Sequence, residues 1–259
     1  MKSLTIKELY PLALAEGEGV GTAYEYFAKR LALRRWLGQG GEKTPRPCHI
    51  LIAGLPQKYG SSLDFFLLAS ELGAELTVVD DRPEAIAKGQ RSLAAAQEQG
   101  FLPALVPNWL TTADLPHLPE LTPAQPFDLV LSSEVLQRLA PPERSVFVAR
   151  LGELSTAVGL FAPNADNEAH VGRSGLGGIT LAEMQALVLH PAEPSTYIDM
   201  PPFPPGITRS DEQREQATSG RLEALAMWGL SWYARLEKWF PGRVRRAYAH
   251  IVYGFSGHF

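Results

Sequence analysis

Several polar residues stand where their neighbours could put them to chemical use. Asp80 ends the apolar run ELTVVD. In nucleotide-binding α/β folds an acid at this place accepts hydrogen bonds from both hydroxyls of a ribose, and each such bond contributes about 1.5–3 kcal/mol. The plainer alternative is an acid that starts a turn or caps the next helix, a task Asp81 could take instead. Gly54 ends the earlier run HILIAG, where a glycine lets the chain turn sharply and the backbone approach a ligand. The loop that follows carries Lys58, Gly60, Ser61 and Ser62. These could hold a carboxylate or phosphate at a helix N-terminus, or could form a solvated loop with an ordinary cap. Asp114 in TTADLPHLP could accept from an adenine amine while Leu115 packs on the ring, or could be a turn acid. His170 in APNADNEAH is a candidate general base, since an unperturbed imidazole titrates near neutrality. A histidine in a polar loop is also often structural.

The elements that must position these residues alternate. HILIAG (49–54) and ELTVVD (75–80) read as buried strands, FLPALVP (101–107) as a third, FDLVLSS (127–133) as a fourth and AVGLFAPN (157–164) as a fifth. Helices are expected over 62–73, 82–100, 141–155 and 181–189. Strands alternating with helices imply right-handed βαβ units and a parallel sheet, with every strand's carboxyl end on one edge. Gly54, Asp80, Ser132 to Glu134 and Asn164 then converge on one crevice, where ligands bind in such sheets. Residues 5–37 read as an N-terminal helix, with Lys29, Arg30, Arg34 and Arg35 interleaved among its apolar positions. STYIDM (195–200) is a possible strand, 208–240 reads as helical, and AYAHIVYGF (247–255) as a last, antiparallel strand. The expected organisation is an N-terminal helical segment over 1–46. One domain follows over 47–259, with a helical insertion at about 207–243.

Composition narrows the classes. The 259 residues carry a formal net charge of −4, which offers nucleic acid no electrostatic footprint. Cys48 is the one cysteine, so an internal disulfide is excluded and a reducing, cytoplasmic compartment is the default. The six histidines show no H-x-x-x-H spacing, and no metal site is expected. The N-terminus does not read as a signal peptide, and no stretch approaches the roughly 20 apolar residues of a membrane span. The loop after Gly54 lacks G-x-G-x-x-G, and the chain has no Tyr-x-x-x-Lys pair, which argues against nicotinamide dehydrogenases.

Taken in order, HILIAG, ELTVVD, ADLP, FDLVLSSEVLQRL, GLFAPN and NEAHVGRSGLGGITLAEM resemble the class I S-adenosylmethionine-dependent methyltransferases. The likeness is nearest to the branch that methylates quinones and similar small molecules, and it spans about residues 47 to 190. FDLVLSSEVLQRL is its most specific piece. The resemblance implies a Rossmann-like three-layer sandwich with a mostly parallel, seven-stranded sheet and an antiparallel C-terminal strand. It implies S-adenosyl-L-methionine as cofactor and in-line methyl transfer to a small-molecule or lipid-like acceptor. It assigns the cofactor to Gly54, Leu55, Tyr59 and Gly60 in the first loop, and to Asp80 and Asp81 after the second strand. Asp114 and Leu115 would take the adenine, Ser132, Ser133 and Glu134 would floor the methionine end, and His170 falls on the substrate side. One departure stands out. Ile52 replaces the usual acid, and Leu55-Pro56-Gln57-Lys58-Tyr59 replaces the tight glycine turn. That leaves a second reading open, an inactive methyltransferase-like binding or scaffold protein.

The segment LEALAMWGLSWYARLEKWFPGRVRRAY places Leu222, Leu225, Leu230, Trp232, Leu236 and Trp239 on one broad helical face, followed by Arg235, Lys238, Arg243, Arg245 and Arg246. Such a helix could be a lid over the crevice, a dimer contact, or a peripheral membrane contact through 221–246, where tryptophan and arginine are favoured.

Overall fold

A computed structural model of the chain describes residues 3–38, 46–57, 60–122, 124, 126–188, 190–202 and 221–257. The chain opens with helices α1 (Ile6–Ala15) and α2 (Val20–Leu37). The single N-terminal helix expected from sequence is thus two, because Gly17 takes a left-handed φ of 76° between them. The alternating part runs β1 (His49–Ala53), α3 (Leu63–Leu72), β2 (Glu75–Asp80), α4 (Pro83–Glu98), β3 (Asn108–Thr111), β4 (Leu129–Ser133), α5 (Pro141–Leu154) and β5 (Val158–Pro163). Then come α6 (Glu168–Ser174), α7 (Leu181–Leu187), β6 (Pro191–Ile198), α8 (Arg221–Leu236), α9 (Gly242–Tyr248) and β7 (Ile251–Ser256).

The strands form one seven-stranded sheet in the order β3-β2-β1-β4-β5-β7-β6. β1 to β5 are parallel, and β7 runs antiparallel between β5 and β6. This is the Rossmann-like three-layer sandwich the sequence predicts. Residues of β1 alternate between the layers: Ile50 and Ile52 join the core under α1 to α4, while Leu51 and Ala53 join the core under α5 and α7. Trp36 of α2 stacks on Phe255 of β7 with centroids 4.3 Å apart, so the N-terminal helices share the sheet's core.

Several boundaries differ from the sequence reading, among them β6, which runs Pro191–Ile198 where 195–200 was expected. The third strand is NWLT (108–111), not FLPALVP, because Pro103 and Pro107 supply no amide to a ladder. The Gln97 side chain instead bonds the carbonyls of Pro103 and Leu105 at 3.2 and 2.9 Å. Residues 242–248 are helix, and the last strand begins at Ile251. Of the helical stretch read over 208–240, residues 203–220 lie outside the described residues. The rest is α8, which packs on α1 and α2 and ends in a 3₁₀ turn at Glu237–Trp239.

Candidate functional site

The carboxyl edge carries two unlike halves. On the β2 side sits Asp80, fully buried. Its Oδ1 accepts from the Arg82 amide (2.8 Å) and Nε (2.9 Å). Its Oδ2 accepts from the Leu55 amide (2.6 Å), Arg82 Nη2 (3.0 Å) and Arg138 Nη2 (3.0 Å). A carboxylate offers about four lone-pair positions, so this one is filled by the chain itself. Burial alone would raise the Asp80 carboxyl, but the Arg82 hydrogen bonds, the Arg138 charge and the Leu55 amide outweigh it and hold it below the ordinary value. Arg138 also donates to Asp81 at 2.6 Å, and Arg82 donates to the Leu55 carbonyl at 2.7 Å. Beside them is a hollow of about 550 Å³, lined among others by Gln57, Asp81, Arg82, Asp114, Leu115 and Arg138. Asp114 faces it while paired with His117 at 2.8 Å, and Leu115 is buried against the α5-side core.

Gly54 answers its expected role in part. Its φ is +80°, and a Cβ there would lie 2.5 Å from a Val135 methyl, so only glycine fits. The close approach is made by Val135 and Arg138 of the chain itself. Lys58 and Tyr59 lie outside the described residues. The loop amides at the start of α3 are also satisfied internally. Glu16 Oε1, from the α1–α2 turn, accepts from the Ser61 amide (2.8 Å) and the Leu63 amide (3.2 Å). Tyr26 bonds its other oxygen, and Gly60 donates to Glu18. The helix terminus read as an anion site therefore holds the chain's own carboxylate.

On the β4 side lies a chamber of buried charge. Ser132 is structural, donating to the Ala53 carbonyl at 2.8 Å. Ser133 Oγ and Glu134 Oε2 are buried without a hydrogen-bond partner among the described residues, and Glu134 takes a left-handed φ of 56°. Lys29 of α2, only 1% exposed, bridges Glu25 at 3.0 Å and Asp64 at 3.2 Å. Beyond β5 lie Asp199, just after β6, and His250, just before β7, paired at 3.1 Å. Glu237 accepts from the Met200 amide at 2.8 Å and from Tyr24. His170, in the first turn of α6, stacks on His250 at 4.1 Å. Burial, then the neighbouring His250 charge, lower the His170 imidazole to about 4. Burial would also lower His250, but Asp199, Glu25 and Glu237 hold it above the ordinary value. His170 is thus a neutral ring near pH 7 with little driving force to take a proton. Asn164 is a clamp, donating to the Arg246 and Ala249 carbonyls at 2.8 and 2.9 Å.

Sequence reasoning missed Glu16, Lys29, Arg138, Asp199 and His250. Arg138 was within reach, since it lies inside the FDLVLSSEVLQRL segment. The others come to the edge only through tertiary packing.

The buried acids set a pH dependence. Burial pushes Glu16 up to about 7, against the pull of Tyr26 and the loop amides. It pushes Glu237 up to about 7 against Tyr24. It pushes Glu134 up to about 8, helped by Glu25 and opposed by Lys29. Glu25 and Asp64 are raised too, by burial first and against Lys29. In each case the folded chain keeps a proton that the unfolded chain releases above its ordinary value, so stability falls as pH rises. His250, raised, loses its contribution in the same direction above 6.5. His170, lowered, works the other way between 6.5 and about 4. The melting temperature should therefore fall steadily from about pH 5.5 to about pH 8.5, as read by scanning calorimetry. A flat or rising profile would mean that these acids are ionised throughout.

No family model and no curated protein matches the chain. Among solved structures, a SAM dependent methyltransferase from Archaeoglobus fulgidus superposes with a TM-score of 0.50 at 11% identity, covering 90% of this chain and 93% of that one. The two chains share a Rossmann-like fold. Magnesium protoporphyrin IX methyltransferase (ChlM) from Synechocystis PCC 6803 with bound SAH matches at TM-score 0.42 and 14% identity, over 64% of this chain and 69% of that one. TehB from Haemophilus influenzae matches at TM-score 0.34 and 17% identity, over 46% of this chain and only 37% of its own length. Asp114 follows β3, Asp80 ends β2 and Glu134 follows β4, so the three lie in that order along the carboxyl edge.

Proposed function

We propose that the chain is a methyltransferase that binds S-adenosyl-L-methionine across the carboxyl edge and delivers its methyl group to a small acceptor. One observation carries the reading: the sheet order sets the hollow beside β2, with Asp81, Asp114 and Leu115 in its wall, next to a buried polar chamber at the end of β4. The adenine end of the cofactor fits that hollow. The ribose end fits once Arg82 and Arg138 release Asp80, so binding is coupled to withdrawal of two guanidinium groups. When bound, the sulfonium supplies an already activated methyl group, and the chain's tasks are alignment and exclusion of water. Asp80 would hold the sugar, Asp114 the adenine amine and Ser133 the methionine side, with Glu134 facing the acceptor beyond it. His170 is the base expected from sequence; the Glu134 carboxylate, raised by burial, is the better proton acceptor near neutral pH.

A second reading, a non-catalytic protein on the same fold, is favoured by the saturation of Asp80. Calorimetric titration with S-adenosylmethionine and S-adenosylhomocysteine separates the two. The expected result is binding of both. No binding of either at millimolar concentration, in the native chain and in Arg138→Ala alike, would remove the enzymatic reading.

The acceptor's physical form bears on α8. Leu225, Trp228, Trp232, Leu236 and Trp239 recur at helical spacing, and each is more than half exposed. Leu230 turns partly inward, and the Leu222 side chain lies outside the described residues. Lys238, Arg243 and Arg246 are exposed along the same stretch. This combination suits an anionic lipid surface, where aromatic rings sit at the headgroups and basic residues meet phosphates. Among the described residues no helix is long and apolar enough to cross a membrane. The protein should co-sediment with phosphatidylglycerol-containing vesicles more than with phosphatidylcholine alone. Trp232→Ala with Trp239→Ala should abolish this; unchanged sedimentation would defeat the idea.

A further inference from the structure

The chamber at the end of β4 is more than an accumulation of acids. Among the described residues, Asp64 Oδ1, Glu134 Oε2, Asp199 Oδ1 and Gln137 Oε1 are buried and accept no hydrogen bond, and the Ser62 and Ser133 hydroxyls are unpartnered. Four of these six atoms are carboxyl or amide oxygens, which accept whenever they carry no proton. Arg138 Nε is unpartnered too, but it belongs to the arginine pair beside Asp80. Native proteins leave few buried polar atoms unsatisfied, and each missing partner costs about 1–3 kcal/mol. The complement that would satisfy this set is a hydrogen-bond donor, and a positively charged one.

The carboxylates act on one another electrostatically. Glu134 is within electrostatic reach of Glu25, Lys29, Asp199 and Glu18, and Asp199 is within reach of Glu25, Glu237 and both stacked histidines. Lys29 is already committed to Glu25 and Asp64, and His250 to one oxygen of Asp199. Among the described residues, that leaves Glu134 Oε2 and Asp199 Oδ1 facing no cation of their own. Among the described residues no three His, Cys, Asp or Glu side chains converge tightly enough for a metal ion. The vacant acceptors come from the ends of β4 and β6 and the start of α3, and several separate acceptors call for a cation with several N–H donors.

We propose that this chamber is the acceptor subsite and that it takes an amine, whose ammonium group donates to Glu134 and Asp199. The proposal rests on the methyltransferase reading for the word acceptor, but the amine site itself does not. Burial raises Glu134 to about 8, so in the absence of a cation the chamber holds protons in its place. Ammonium binding would supply the missing charge, and the same carboxylate is placed to take the proton that an amine must lose before its lone pair can react.

The test is calorimetric titration of the full chain with spermidine and with butylamine, and with butanol as the uncharged control. Both amines should bind and butanol should not. Glu134→Gln and Asp199→Asn should each weaken amine binding at least tenfold. Glu134→Gln removes charge from a buried acid, so its thermal melt should show it folded; Glu134→Asp should restore part of the affinity. S-adenosylhomocysteine and 5′-methylthioadenosine, which lacks the amino-acid group, are titrated beside them. If neither amine binds at tens of millimolar, the proposal falls. It falls equally if the two variants weaken S-adenosylhomocysteine as much as the amines and spare 5′-methylthioadenosine, because the recognised ammonium is then the cofactor's own. If the amines bind and neither adenosyl compound does, the amine site stands and the methyltransferase reading fails.

Discussion

Lys29→Met should lower the free energy of unfolding by about 3–5 kcal/mol, as read from urea denaturation near pH 7. The methionine fills much the same space, so the loss is electrostatic. Lys29 is 1% exposed and is the shared partner of Glu25 and Asp64. Without it, two carboxylates lie in the interior against Glu134, with no charge to offset their desolvation. Since domains of this kind are stable by only about 5–15 kcal/mol, the variant should melt far lower or accumulate unfolded. The triple change Lys29→Met, Glu25→Gln, Asp64→Asn should recover most of the loss, because replacing a whole buried ion pair is often neutral. If the single variant is as stable as the parent, the chamber is wet and its charges are solvated.

The second large effect concerns cofactor affinity and has opposite signs at two neighbouring residues. Asp80→Ala should weaken S-adenosylhomocysteine at least about a hundredfold, the equivalent of two charge-assisted hydrogen bonds. Arg138→Ala should strengthen it by about tenfold, because Arg138 now occupies the Asp80 oxygen that a ribose hydroxyl would need. A protein whose Asp80 is purely structural would show no gain in Arg138→Ala. Titration of both variants, with melting curves to confirm folding, distinguishes a gated site from a sealed one.

Much of the scaffold was legible in the chain. ELTVVD ends at the aspartate that closes β2, and Pro83 opens α4, because β-branched runs and an N-terminal proline leave few alternatives. FLPALVP misled because its apolar residues imitate a strand while its two prolines deny it a ladder. Lys29 and Arg30 stand interleaved among apolar positions in the sequence, and both are buried, since α2 is enclosed by α1, α8 and the sheet. No local pattern announces a buried lysine whose partners lie partly in another helix. The same holds for Glu16 at the head of α3 and for the pairing of Asp199 with His250. The positions of Asp80 and Asp114 were readable, but not whether Asp80 was free to accept a ligand. That depends on Arg138, which is 58 residues away in sequence.

The placement of β7 has a consequence for how the molecule is made. It is the last strand in the chain, yet it lies between β5 and β6. Until residues 251–256 leave the ribosome, β5 and β6 have no common neighbour, and each shows a row of unpaired amides and carbonyls. A nascent chain stalled before this point would carry two sticky borders and an unfinished core lacking Tyr253 and Phe255. Truncation just before Ile251 should therefore yield an insoluble product, even though every candidate ligand-binding residue would already have been synthesised.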